Sequence, residues 1–139
     1  IVAADKNYVT ISNTDQPAEV GWISWNIPYK YSKGKLVAST TSTTTVKSLI
    51  ANNRKDKYSK YFAKNQFVTA KKLTFYNGSK VAYTVPKGKV VTLTKLSLSK
   101  NVIYLQFKYG KKTGWAHVNG AKYDFTKPWF QGVNARLAG

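Results

Sequence analysis

Short apolar runs bounded by turn-rich residues occur in both the N-terminal and the C-terminal part of the chain, and such runs are typical of β-strands. In the N-terminal region the pattern covers residues 8–11 and 20–25, which are separated by the turn-rich stretch 12–15. Pro28 lacks an amide hydrogen, so we expect its segment at a sheet edge or a strand start. These patterns predict a β N-terminal part over residues 1–38.

Residues 39–65 have a different texture. Residues 39–45 are an unbroken Ser/Thr run, which is typical of a solvated loop, although its last threonines can also cap a helix. Apolar residues then recur at spacings that mostly suit one face of an α-helix: Val46, Leu49, Ile50, Tyr58, Tyr61 and Phe62. We therefore predict a Thr-rich loop and an amphipathic helix at about 45–63 that packs on the neighbouring sheet.

Short strands and tight turns return in residues 66–126. Turn signals occur at residues 77–78, 86–89 and 110–113, between apolar runs rich in Val, Tyr and Phe. Short strands joined by tight turns predict a small antiparallel barrel. The tail, residues 127–139, carries Trp129 and Phe130, which we expect to pack back on the body because apolar rings gain free energy from burial.

The net charge of the chain indicates what kind of partner it binds. The chain has 23 Lys and Arg against 5 Asp and Glu, a formal charge of +18 on 139 residues, which favours a polyanionic partner. All but Arg54 and Arg136 of these cations are Lys. Lys carries a hydrated point charge, whereas Arg can make two parallel hydrogen bonds to one phosphate or base edge. A repetitive anionic polymer therefore fits better than a sequence-specific duplex. Solubility alone would need a net charge of only roughly 2–8.

Few residues suit catalysis or metal binding. Glycoside hydrolysis needs two carboxylates in one cleft, whereas the acids are scattered along the chain: Asp5, Asp15, Glu19, Asp56 and Asp124. His117 is the only histidine and there is no Cys, which excludes disulfides and leaves too few ligands for a typical zinc site. We expect no enzymatic activity, no metal and no cofactor.

The beginning of the chain bears on its origin. It opens on residues 1–4 without an initiator Met or a basic segment, so we expect an excised fragment or the mature piece of a larger protein. No stretch approaches the roughly 18 apolar residues of a membrane span. The lack of Cys is also common among exported proteins of Gram-positive bacteria, which favours a secreted protein.

Several motifs follow one another in residues 73–123: VPKGKVVTL at 85–93, IYLQF at 103–107 and TGWAHV at 113–118. Their order resembles that of bacterial Src homology 3-like cell-wall-targeting domains, although residues 73–78 depart from the family's usual opening motif. The dipeptides Gly21-Trp22 and Gly114-Trp115, together with the Lys excess, resemble GW-type modules that bind lipoteichoic acid. The Thr-, Lys- and Tyr-rich texture is similar to surface-layer and adhesin attachment regions of lactobacilli.

This resemblance implies a mainly β fold with one helix. Residues 66–126 would form the Src homology 3-like barrel, and the N-terminal part would add Gly-Trp strands or a degenerate second barrel. The implied function is a non-catalytic module that anchors a larger surface protein to the cell wall of a Gram-positive bacterium. Charge favours teichoic or lipoteichoic acid as the partner, because teichoic acids carry a phosphate in each repeat.

In this interpretation Lys side chains contact phosphate and aromatic rings stack on sugar or polyol faces. The expected ligand-binding residues are Trp22, Trp25, Tyr76, Tyr83, Lys87, Lys89, Tyr104, Lys108, Lys111, Lys112 and Trp115. Strand alternation should bury about half of the aromatic rings in the core, and any single lysine can be a plain surface residue. Single-stranded nucleic acid, host heparan sulfate and peptidoglycan stay open as other ligands, with nucleic acid disfavoured by the shortage of Arg.

Overall fold

The computed structural model describes residues 3–4, 8–38, 44–53, 55–99, 102–119 and 122–133. Within these ranges the chain is mainly β, with one short 3₁₀ turn and one short α-helix. The strands are β1 (Ala3–Ala4), β2 (Tyr8–Asp15), β3 (Ile23–Ser32), β4 (Lys35–Ala38), β5 (Thr44–Ser48), β6 (Gln66–Val68), β7 (Leu73–Asn77), β8 (Lys80–Val85), β9 (Val90–Ser99), β10 (Val102–Tyr109) and β11 (Lys112–His117). The 3₁₀ turn (Ile50–Asn53) and α1 (Ser59–Phe62) lie between β5 and β6. The predicted mainly β class with one helix is confirmed.

The strands join into one antiparallel sheet in the order β1-β2-β3-β5-β9-β10-β11-β7-β8, with β4 added to β3 and β6 added to β9. β5 makes the central connection, because its first residues pair with β9 and its last ones with β3. No ladder within the described ranges joins β6 to β8, so the sheet is not closed into a barrel. The barrel predicted over residues 66–126, and the second barrel considered for the N-terminal part, are replaced by one open sheet because β5 continues it from β9 to β3.

The helix predicted at about 45–63 is wrong over most of its length. Thr44–Ser48 form β5, in which Val46 and Ser48 point inward, and only Ser59–Phe62 are α-helical. The apolar spacing did mark buried residues, since Val46, Ile50 and Phe62 all lie in the core. A short apolar run fits either period, and pairing with two neighbouring strands decided for β.

Asn65 holds the place where β5 leaves β9. Its φ of 57° is left-handed, a conformation that Asn adopts more readily than most residues. Its Nδ2 donates to the carbonyl oxygens of Val46 and Leu93, at 2.7 and 3.4 Å, and its Oδ1 accepts from the backbone N–H of Ser48 at 2.7 Å. One side chain thus satisfies backbone groups of both strands where their ladder ends.

One hydrophobic core serves both the N-terminal and the C-terminal strands. Its centre is aromatic, with the Phe67 ring centroid 5.0 Å from that of Phe130 and 6.0 Å from that of Phe107. Phe130 comes from the C-terminal tail, is fully buried, and forms an isolated β-bridge with Thr69. Ile23 of β3 belongs to the same cluster, so the two parts of the chain are packed together.

Two of the predicted segments lie outside the described residues, namely positions 39–43 of the Ser/Thr run and positions 134–139 of the tail. Among the helices that the structure does describe, none has the length and apolar character needed to cross a membrane.

Candidate ligand-binding face

The outer surface of three adjacent strands, β7, β11 and β10, presents aromatic side chains. Alternation along β11 leaves Trp115 and His117 on the outside. The ladders place Trp115 opposite Tyr76 of β7 on one side and opposite Gln106 of β10 on the other. His117 lies opposite Tyr104, and their rings stack with centroids 5.4 Å apart. We call Tyr76, Tyr104, Trp115 and His117 the aromatic face.

The rings of the aromatic face are accessible to a ligand. Tyr76 is 44% exposed and Tyr104 is 37% exposed, while Trp115 is half-buried between its neighbours. Such rings combine an apolar surface with a polar tip, which suits contact with a partly polar ligand.

Two lysines flank this face, one on the neighbouring strand β9 and one on β10 itself. Lys95 of β9 lies opposite Gln106 of β10, and Gln106 in turn lies opposite Trp115, so the three residues form one row across the sheet. Lys108 follows Gln106 by two residues along β10. Both lysines are exposed. Lys108 was predicted from the sequence. Lys95 was not, because the register shift between β9 and β10 beside Gln106 changes which residues of β9 face outward.

A polar pocket of about 320 Å³ lies at the His117 end of the aromatic face. Its lining residues come from separate segments of the chain: Glu19, Lys71, His117, Asn119, Lys122, Tyr123, Asp124, Lys127 and Trp129. Sequence reasoning did not identify this pocket, because no local motif brings those segments together.

Glu19 is the buried acid of the polar pocket, with 1% of its surface exposed. It lies in the turn before β3, where the backbone N–H of Gly21 donates to the carbonyl oxygen of Pro17 at 2.7 Å. The backbone N–H of Asn119 donates to Glu19 Oε2 at 2.7 Å. Glu19 Oε1 is also buried but accepts no hydrogen bond within the described part of the chain. A buried carboxylate oxygen without a donor is costly, so this atom marks a place where a donor is needed.

Asp124 is an exposed acid of the same pocket. Thr126 donates from its side-chain hydroxyl and its backbone N–H to Asp124 Oδ1, at 2.6 and 2.9 Å. These hydrogen bonds, helped by the charges of Lys127 and Lys71, lower the pKa of the Asp124 carboxyl below its ordinary value. The carboxylate form is therefore favoured, yet the lysines of the pocket still outnumber its carboxylates by three to two.

The two Gly-Trp dipeptides occupy different structural positions. Gly21 has a φ of 73°, the left-handed conformation that favours glycine, in the turn before β3. Gly114 lies inside β11, where an added Cβ would be 2.8 Å from the Cβ of Phe75. One glycine serves a turn and the other a close approach of strands, so the dipeptides are not equivalent positions of a repeat.

The tryptophans of the N-terminal part do not reach the aromatic face. Trp22 precedes β3 and is 48% exposed. Trp25 was expected as a ligand-binding ring, but alternation along β3 turns it inward, and its indole Nε1 is buried without a partner in the described residues. β5 and β9 separate both residues from β10 and β11 in the sheet.

Tyr83 is likewise a core residue, although it was expected to bind ligand. It is 5% exposed, and its hydroxyl donates to the carbonyl oxygen of Phe107 at 2.5 Å. Burial raises the pKa of Tyr83 above its ordinary value. Its ring edge still lines a cavity of about 340 Å³ with Tyr109, Lys111 and Lys112 at the β10–β11 hairpin.

The remaining predicted lysines lie elsewhere. Lys87 and Lys89 are exposed in the turn between β8 and β9, and Lys87 lines a separate cleft of about 610 Å³ beside Tyr58 and Gln131. The predicted residues are therefore split over several places, and only Tyr76, Tyr104, Lys108 and Trp115 gather at the aromatic face.

Comparison of the chain with protein-family models, with curated proteins and with solved structures found no match. The described residues also contain no group of three or more His, Cys, Asp or Glu that could hold a metal ion. Function is therefore inferred from the aromatic face, the polar pocket and the net charge.

Proposed function

We propose that this chain is a non-catalytic module that binds teichoic or lipoteichoic acid and so anchors a larger secreted protein to a Gram-positive cell wall. The aromatic face carries the proposal. It combines accessible rings on one outer surface with flanking Lys95 and Lys108, in a chain of net charge +18. The rings and the two lysines lie on the same outer surface of neighbouring strands, so one extended polymer can meet both kinds of contact.

The spacing of the sheet supports binding to a repetitive ligand. Neighbouring strands are about 4.8 Å apart, and same-face residues along one strand are about 7 Å apart. Trp115 and His117 therefore offer contacts at a regular interval along β11, and each has a tyrosine opposite it on a neighbouring strand, Tyr76 on β7 and Tyr104 on β10. A chain of similar phosphate-bearing units can use such contacts in succession without a unique sequence.

Electrostatics sets the expected salt dependence. The lysines at the face and the pocket are Lys71, Lys95, Lys108, Lys122 and Lys127. If each displaces one counterion from a flexible polyanion, the logarithm of the binding constant should fall with the logarithm of salt concentration with a slope of about −3.5. A fourfold rise in salt should then weaken binding by about 100-fold.

A relationship to Src homology 3-like wall-binding domains is part of this proposal. It is supported by the consecutive strands β7–β11 with tight connections and by their shared aromatic core. Thr69 also exchanges hydrogen bonds with Pro86, Gly88 and Lys89, which bring the β6 end of the open sheet near the end of β8.

The test is binding to purified Gram-positive cell walls before and after acid extraction of teichoic acids, at two salt concentrations. We expect extraction to abolish binding, and Tyr76→Ala or Tyr104→Ala to weaken it at least tenfold. Tyr31→Ala is the matched control, because Tyr31 is 60% exposed on β3, away from the aromatic face. Equal loss in the control variant would remove the aromatic face from the proposal.

Competition experiments separate the other ligands. Soluble teichoic acid, heparin and single-stranded DNA should each be tested for release of the chain from walls at one salt concentration. Stronger release by DNA or heparin than by teichoic acid would reassign the same surface to that polymer, since an open β-surface with rings and lysines also suits single strands. Binding that survives extraction would assign the ligand to peptidoglycan.

A further inference from the structure

We infer that the polar pocket binds a phosphate ester whose alcohol part carries a free N–H or O–H donor, with the donor on Glu19 Oε1 and the phosphate on the surrounding lysines. This inference rests on the proposed function, because it names the chemical unit of the anionic polymer that the pocket takes. It is supported by a different part of the molecule from the aromatic face.

The first observation is that the Glu19 carboxylate is buried and only partly hydrogen-bonded. Its carboxylate is fully enclosed, and its Oε2 is held by the backbone N–H of Asn119 at 2.7 Å. That hydrogen bond joins residues 100 positions apart, so the carboxylate is fixed in place where the N-terminal turn meets the end of β11. Oε1 has no donor among the described residues. Glu19 is one of the residues that line the pocket, and its Oε1 is buried there, so we assign the missing donor to a ligand that enters the pocket and displaces the side chains covering this atom.

The second observation is that three lysines line the same pocket as Glu19. Lys71, Lys122 and Lys127 line the same pocket, and turns fix the backbone at two of them. The backbone N–H of Lys122 donates to the carbonyl oxygen of Asn119, and that of Lys127 to the carbonyl oxygen of Asp124, both at 3.1 Å. Their ammonium groups can converge on an anion that enters from solvent, with hydrogen bonds strengthened by charge on both partners.

The combination excludes simpler ligands. A bare anion would gain the lysines but leave Glu19 Oε1 without a donor, and it would be repelled by the carboxylates of Glu19 and Asp124. A bare cation would satisfy Glu19 but meet three lysines. A phosphate ester with a nearby ammonium or hydroxyl group satisfies both ends. The volume of about 320 Å³ is at the small end of ordinary ligand pockets, roughly 300–1,000 Å³, and suits one such unit.

The experiment is an NMR titration of the isotope-labelled full chain with three probes: phosphoethanolamine, sn-glycerol 3-phosphate and inorganic phosphate. The reporter is the backbone amide of Asn119, which is bonded to Glu19. We expect saturable shifts of this amide with both esters and at least tenfold weaker binding of inorganic phosphate. Tighter binding of phosphoethanolamine would identify the preferred donor as an ammonium group, tighter binding of glycerol phosphate would identify it as a hydroxyl group, and equal binding would show that either group serves.

Variants assign the two ends of the ligand. Glu19→Gln keeps the shape of the side chain but places an amide donor or a neutral oxygen at the site, so the preference for esters over inorganic phosphate should fall at least fivefold. Lys122→Gln should weaken all three probes several-fold, and because Lys122 is exposed this variant keeps the test open if Glu19→Gln does not fold. Lys35→Gln, on β4 away from the pocket, should change nothing.

Some results would overturn the inference. If the esters bind no better than inorganic phosphate, the pocket takes an anion without using Glu19. If no probe shifts the Asn119 amide, the pocket holds water alone. Wall binding that persists under those results would leave the proposed function standing without this pocket. Binding of the esters by a chain that does not bind walls would have the opposite meaning, so the two failures can be told apart.

Discussion

Gly114→Ala is expected to destabilise the fold, although the change adds only one methyl group to a strand. A Cβ at position 114 would lie 2.8 Å from the Cβ of Phe75, 3.0 Å from the Cβ of Ala82 and 3.0 Å from Cε1 of Tyr83. Favourable carbon–carbon contacts lie at about 3.5–4.0 Å. Cβ atoms are fixed by their backbones, so β7 and β8 must move away from β11 to make room.

The magnitude follows from two opposing terms. Overpacking of a well-packed core costs about 1–3 kcal/mol, and several simultaneous contacts place this site in the upper part of that range. Replacing glycine inside a strand recovers about 0.5–1 kcal/mol of backbone entropy. We therefore expect the free energy of unfolding to fall by about 2 kcal/mol, which corresponds to a drop in Tm of about 4–8 °C for a chain of this size.

The assay is guanidinium unfolding followed by tryptophan fluorescence, with the slope of the transition checked for constancy. Gly110→Ala is the control for coupling: an added Cβ there has open space and only the φ of 61° is unfavourable, at about 1–2 kcal/mol, so Ala82→Gly should recover none of its loss. Ala82→Gly should recover part of the loss when it is combined with Gly114→Ala. An unchanged or higher midpoint for Gly114→Ala, or no coupling to Ala82→Gly, would refute the reasoning.

Further predictions concern the core and are measured by the same unfolding assay. Phe130→Ala should cost about 3–5 kcal/mol, whereas Phe125→Ala, at a ring that is 60% exposed, should cost less than about 0.5 kcal/mol; similar losses would argue against a structural role for the tail. Asn65→Ala removes three side-chain hydrogen bonds and should cost about 2–4 kcal/mol, so a change below about 0.5 kcal/mol would contradict the linking role. Tyr83→Phe removes one buried hydrogen bond and should cost about 1 kcal/mol at pH 7. Because burial raises the pKa of Tyr83 in the folded state, the stabilisation by its neutral hydroxyl is complete below the unfolded-state pKa of about 10 and is lost as pH rises further. The difference in unfolding free energy between wild type and Tyr83→Phe should therefore shrink above about pH 10. A difference that stays constant up to pH 11 would contradict this.

Much of the β-structure could be read from the sequence because alternation is a local property. The motif at 113–118 around Trp115 lies almost wholly within β11, and the exposed positions of Tyr104 and Lys108 on β10 follow a period of two. The segment around Val46 was misread as helix, since its apolar residues fit both periods. Only pairing with β3 and β9 on its two ends made it a strand.

The candidate site divides in the same way. Several exposed rings could be predicted from the sequence, but alternation alone did not predict that the side chains of Trp25 and Tyr83 would point into the core. The polar pocket could not be found, because Glu19 and Asn119 are joined by a hydrogen bond across 100 positions of chain. Nothing in the residues next to Glu19 distinguishes it from an ordinary surface acid.

The sequence by itself determined the mainly β class, the large positive charge and the residue types available for binding. These are properties of single residues and of near neighbours, and they hold for any arrangement of the strands. The tertiary structure decided the open sheet, the different roles of Gly21 and Gly114, and the burial of Glu19. Each of those depends on distances between residues that are remote in sequence, which are set only when the strands pair and the shared core closes.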